Sequence, residues 1–116
     1  MVTFIGIFVG GGLGSLLRWL CCNLIQTHWG TMLVNIIGAF FIGVAYAFFS
    51  KMASLPSELK LFIITGLLGG FTTFSTYLLN FITLINSHNL VEAFIYLFCS
   101  ILVGSLFLVA GIRLVG

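Results

Sequence analysis

Hydrophobic residues fill this chain in four long blocks, Thr3 to Ile25, Thr31 to Ser50, Leu61 to Ile85 and Ala93 to Ile112, separated by short polar stretches. Each block reaches the roughly 20 mostly apolar residues that a helix needs to cross a hydrocarbon core. The blocks are apolar all round, without the polar face at helical period of a water-soluble bundle or the alternation of a lipid-facing barrel strand. An open strand array is excluded, because unpaired backbone groups in lipid cost several kcal/mol each. The pattern predicts an all-α membrane protein, one domain over 1–116 with transmembrane helices at about 3–25, 31–51, 58–86 and 91–114.

The connections are short: Gln26 to Gly30, Lys51 to Lys60 around Pro56, and Asn86 to Glu92. Consecutive helices are therefore expected to be antiparallel neighbours. The first block lacks a basic leader and is longer than a signal peptide's apolar region, so it is expected to remain as a helix. Lys51, Lys60 and Arg113 fall on one side and favour it as cytoplasmic, but Arg18 lies toward the other. So weak a bias allows insertion in both orientations.

Composition narrows the function classes. Of 116 residues, 61% are hydrophobic and 5% charged, against about 25% charged in soluble domains. The few charges are too scattered for a nucleic-acid surface. Cys21, Cys22 and Cys99 have no metal-ligand spacing and read as small packing residues. Gly6, Gly10 and Gly14 make one bare face on the first helix, and Gly66 and Gly70 repeat the spacing on the third, favouring close helix approach.

Polar residues at membrane depth carry the remaining signal. Arg18 reads either as an anchor snorkelling to the interface or as an electropositive residue that gathers anions. Asn35, between apolar neighbours, reads as interhelical glue or as a donor lining a pore. The third block contains GLLGGFTTFSTY, Gly66 to Tyr77. Two adjacent glycines and two β-branched threonines predict a helix break centred near Gly69 to Thr73. Freed carbonyls there suit a hard cation and freed N–H groups an anion. Phe74, Tyr77 and Phe81 form an aromatic stripe beside Ser75 and Thr76, and Tyr96 and Ser100 form a hydroxyl pair on the fourth helix.

Three runs, GGLGSLLRW (Gly11 to Trp19), GTMLVNIIG (Gly30 to Gly38) and GGFTTFST (Gly69 to Thr76), occur in order on the first three helices. Together they resemble the Fluc or CrcB family of small dual-topology fluoride channels, over essentially the whole chain. The resemblance implies a multi-pass protein of the plasma (inner) membrane, surrounded by lipid. It implies a non-enzymatic, passive fluoride channel exporting cytoplasmic fluoride, built as an antiparallel homodimer with two pores. It also implies a central structural sodium ion, not transported, on the backbone carbonyls of Gly69 and Thr72 from both subunits.

By the same resemblance, Asn35, Phe74, Ser75, Thr76, Tyr77, Tyr96 and Ser100 face the fluoride pore and Arg18 the vestibule. Tyr77 stands where the family has phenylalanine, so its phenol either donates to fluoride or turns away. Gly104 interrupts the hydroxyl track where a serine stands in relatives. A small four-helix multidrug exporter is the alternative; proton-coupled cation export needs a membrane-embedded carboxylate, and Glu58 and Glu92 lie in or beside loops. A membrane assembly factor would need only the glycine faces.

Overall fold

The computed structural model describes residues Met1–Gly116. Four stretches are long and apolar enough to cross a membrane: Val2–Leu24, His28–Lys51, Ser57–Asn86 and Leu90–Val115. We label the first two helices α1 (Val2–Leu24) and α2 (His28–Lys51). The third span is composite. It runs from α3 (Ser57–Lys60) through a π-helical stretch, Leu61–Leu68, into a last turn, α4 (Gly69–Phe71), and resumes as α5 (Ser75–Asn86). The final span is α6 (Leu90–Val115), and no strand occurs.

Only 18 of 116 residues are buried, and Phe8, Leu24, Leu79 and Leu102 are among many large apolar side chains left exposed. In water such a surface would associate; in a bilayer it is the face the solvent wants. The interior is correspondingly thin, and backbone-to-backbone approach replaces a bulky core. α1 lies against the π stretch and α4, where a side chain on Gly14 would collide with the backbone of Leu67 and Phe71. Gly10 faces Phe62 and Gly66 in the same way. α2 lies against α6 through a second pair, Gly43 facing the backbone of Leu108 and Ile112, and Gly111 facing Phe40 and Val44.

The third span is bent by about 17°, and its interruption falls later than the glycines suggest. Gly69 and Gly70 stay helical; the chain leaves the helix at Thr72 (φ −85°, ψ 156°) and re-enters at Ser75. Gly70 is needed for approach, because a Cβ there would meet the Gly11 carbonyl oxygen at 2.5 Å. The break therefore comes from the threonines and their partners, while the glycines before it serve packing. Upstream, the Gly69 N–H reaches back five residues to the Ile64 carbonyl, continuing the wide π turn, a form found frequently at functional sites.

The α5–α6 turn closes with the two bonds of a helix-terminating motif, Asn89 N–H to Leu84 O and His88 N–H to Ile85 O, both 3.0 Å. His88 takes the left-handed conformation this needs (φ 62°).

Gly14→Ala should be strongly destabilising, because its new methyl meets backbone on both sides. Gly12→Ala, with nothing within 4 Å of the added carbon, should be neutral or stabilising by up to about 1 kcal/mol. Thermal melts in detergent compare the two directly; equal behaviour would mean that the α1 glycine face does not set the packing.

Candidate functional site

A broken helix inside a membrane leaves backbone groups that lipid cannot satisfy, so their partners define the site. The Asn35 side chain on α2 takes both groups of Thr73: its Nδ2 donates to the Thr73 carbonyl and its Oδ1 accepts from the Thr73 N–H, each at 2.9 Å. Arg18 on α1 donates from Nε to the Gly70 carbonyl at 3.2 Å. The Leu68 carbonyl accepts twice from Thr72, from the backbone N–H and from Oγ1, both at 3.1 Å. Thr73 Oγ1 accepts from the Thr76 N–H at 3.3 Å, serving as a side-chain cap for the start of α5.

The remaining groups stay open. On the α4 side, the carbonyls of Gly69, Phe71 and Thr72 have no donor. On the α5 side, the N–H groups of Phe74, Ser75 and Tyr77 have no acceptor. One interruption thus exposes acceptors at the end of one half-helix and donors at the start of the next, where the dipoles favour a cation and an anion respectively.

Beside the break lies a groove of about 320 Å3 whose walls include Asn35, Thr72, Thr73, Phe74, Tyr77 and Ser100. It contains no charged side chain. Ser100 Oγ is buried with no hydrogen-bond partner, leaving a free hydroxyl in the wall. The Phe74 ring is 71% exposed and sits 6.0 Å from the Tyr77 ring, tilted by 40°. Ser75 is exposed and Thr76 half-buried on the first turn of α5.

The two alternatives for Tyr77 are separated by its hydroxyl, which donates to the Leu97 carbonyl on α6. Its ring is buried and still walls the groove, so the phenol turns away and the ring face remains. Tyr96 is fully buried and off the groove, accepting from Asn80 Nδ2 at 3.2 Å; the same amide donates to Thr31 Oγ1 at 3.2 Å. His28 lies edge-on to Tyr96 with ring centroids 4.9 Å apart and faces Glu92 at 3.1 Å.

Thr31 and Asn80 were not among the residues singled out from the sequence. Thr31 precedes Asn35, and Asn80 follows Thr76, each by four residues, so one polar helical stripe would have revealed them. Arg18, read from the sequence as a snorkelling anchor or a vestibule residue, reaches the break through the Gly70 carbonyl. No three His, Cys, Asp or Glu side chains gather anywhere into a metal-ligating group.

Four membrane-crossing spans, the third interrupted and carrying unpaired backbone groups, define a small multi-pass membrane protein. The chain belongs to the family described as CrcB-like protein, Camphor Resistance (CrcB), whose sequence profile matches residues 5–112. Among its relatives, the fluoride-specific ion channel FluC of Hydrogenobaculum sp. (strain Y04AAS1) is 38% identical over 115 residues, covering 95% of this chain and 94% of that one. Fluoride-specific ion channel FluC 1 of Yersinia pestis is 44% identical over 96 residues, covering 78% and 76%. The FluC of Burkholderia thailandensis is 49% identical over 80 residues, covering 65% and 62%.

Asn35→Ala removes both bonds to Thr73 and should cost about 2 kcal/mol or more of stability, with faster hydrogen exchange at the Thr73 amide. Unchanged protection of that amide would show that the break holds its shape without Asn35.

Proposed function

We propose that this chain is a passive fluoride channel that exports cytoplasmic fluoride and performs no covalent chemistry. The observation that carries this is the break and the groove beside it: unpaired backbone donors on Phe74, Ser75 and Tyr77, the Asn35 amide, the partnerless Ser100 hydroxyl and the exposed Phe74 ring, with no carboxylate among them. A small, strongly hydrated anion loses its water only against dense donors, and a ring edge is positive enough to join them. The Asn35 amide keeps one N–H beyond the one given to Thr73. The choice of fluoride rests on the names of the relatives.

Within this reading, the functional unit is an antiparallel homodimer with two pores. The open carbonyls of Gly69 and Thr72 have the chemistry of a site for a hard cation, which takes oxygen ligands. One chain offers two such oxygens, and a second copy would complete a four-oxygen cage around a structural sodium ion. The ion would neutralise acceptors that lipid cannot satisfy and hold the two breaks together. Ser75, Thr76 and Ser100 serve as hydroxyl donors along the path, and Tyr96, through Asn80 and Thr31, supports it from behind. Arg18 fixes the Gly70 carbonyl and adds positive potential near the break.

The exporter alternative fares worse on the same geometry. Glu58 is in the first turn of α3 and Glu92 in the first turn of α6, and neither lines the break groove.

Purified protein in liposomes, with efflux read by fluoride and chloride electrodes under a potassium–valinomycin clamp, should release fluoride and retain chloride. Equal fluxes, or none, would refute the channel. Phe74→Ile should cut fluoride efflux by about tenfold, the equivalent of about 1.5 kcal/mol at an aromatic contact, with dimer mass unchanged; undiminished efflux would reduce Phe74 to packing. Elemental analysis after washing into sodium-free buffer should find one sodium per two chains, and its absence would remove the cation site.

A further inference from the structure

α2 contributes to two grooves. Asn35, Ala39 and Ile42 line the break groove, whereas Ile37, Phe41 and Phe48 wall a second groove of about 480 Å3. Residues two apart in sequence lie about 200° apart around a helix of about 3.6 residues per turn. Those parts of α2 point different ways, and the two grooves adjoin where Ile42 packs against Ala45, Phe49 and Leu68.

All the residues lining this groove are apolar. Its inner end is at Ile37, Leu17 and Phe71, on the level of the break, since Gly14 and Gly38 both abut Phe71. The outer end is at Phe48 and Leu59, beside the α2–α3 connection. At about 1.5 Å per residue, Ile37 to Phe48 spans roughly 16 Å, close to half of an about 30 Å hydrocarbon core. The volume is about three times that of an apolar cavity of about 150 Å3 that takes up benzene. Those dimensions suit the acyl chain of one leaflet.

Lipid tails are as apolar as these walls, so burial of a tail gives no hydrophobic gain over the bilayer. What separates a resident lipid from a passing one is its headgroup. Lys60 follows Leu59 directly, and Lys51 lies three residues beyond Phe48. The Lys51 ammonium donates to the Val115 carbonyl at 2.7 Å and retains two further donors. Lys51, Lys60 and Arg113 outnumber the single acidic side chain at this end, Glu58, while Glu92 is at the opposite end with His28.

We propose that this groove is a binding site for an anionic phospholipid, one acyl chain lying between α2 and the π stretch and the phosphate held by Lys51 and Lys60. In either insertion orientation the headgroup takes the leaflet that receives those two lysines.

Native mass spectrometry of the detergent-solubilised protein with dioleoyl phosphatidylglycerol or dioleoyl phosphatidylcholine tests this. Phosphatidylglycerol should stay bound under activation that strips phosphatidylcholine. Lys51→Gln and Lys60→Gln should each lower that preference about fivefold. Val44→Phe, which fills the groove, should abolish retention with the oligomeric mass unchanged; Ile63→Phe does the same from the opposite wall if the first variant does not fold. Equal retention of the two lipids, or retention that survives groove filling, overturns the proposal. So does a fall in oligomeric mass on filling, which would make the groove a contact between copies. No fluoride measurement enters these readouts, so they are decided independently of the channel reading.

Discussion

Every backbone N–H and C=O inside a membrane needs a partner from the protein, and this fold is arranged around the one place where its helices stop supplying them. Between α4 and α5, three consecutive residues, Thr72 to Phe74, lie outside the helices, and the middle one loses helical pairing on both its backbone groups. A single amide, Asn35, satisfies both groups of the middle one. Arg18 and the Thr73 hydroxyl take two more positions, and the Thr72 hydroxyl doubles the bond to the Leu68 carbonyl. What is left unpaired is then a property of the design, with acceptors on one side of the break and donors on the other.

The packing brings those partners within reach. Arg18 meets the Gly70 carbonyl because α1 approaches the third span backbone to backbone, along Gly10, Gly14 and Gly70. Asn35 meets Thr73 because Gly38, one turn further along α2, leaves room for the Thr72 and Phe71 side chains. A side chain larger than hydrogen at these positions would push away the element carrying the partner, at a cost well above that of one lost contact. Glycine is used here for proximity, and the break itself is made by threonines held by side chains on two other helices.

Much of this was legible in the sequence. The four spans follow from hydropathy alone, because bilayer thickness fixes helix length. The site region was legible too, since polar residues inside apolar blocks are few. The break was legible to within about two residues, its start at Thr72 lying inside the expected Gly69 to Thr73 but its cause misassigned in part to the glycines. Propensity makes Gly69 and Gly70 look like helix breakers, but propensities near 1 kcal/mol yield to the packing of α1 against them. Tyr77 was undecidable, as the direction of its phenol depends on the Leu97 carbonyl of α6, which no spacing within the third span reveals. Gly43 and Gly111, which join α2 to α6, sit on different helices and show no repeat on either.

The central claim is that the interrupted third span supplies the donors that take an anion out of water. Amide N–H signals of lipid-embedded protein, followed by solid-state NMR during fluoride and chloride titrations, test it most directly. The account predicts saturable shifts at Phe74, Ser75 and Tyr77 with fluoride and not with chloride, while an amide deep in α6, such as that of Leu106, stays still. Signals at the break that ignore fluoride, or that respond equally to chloride, would contradict it.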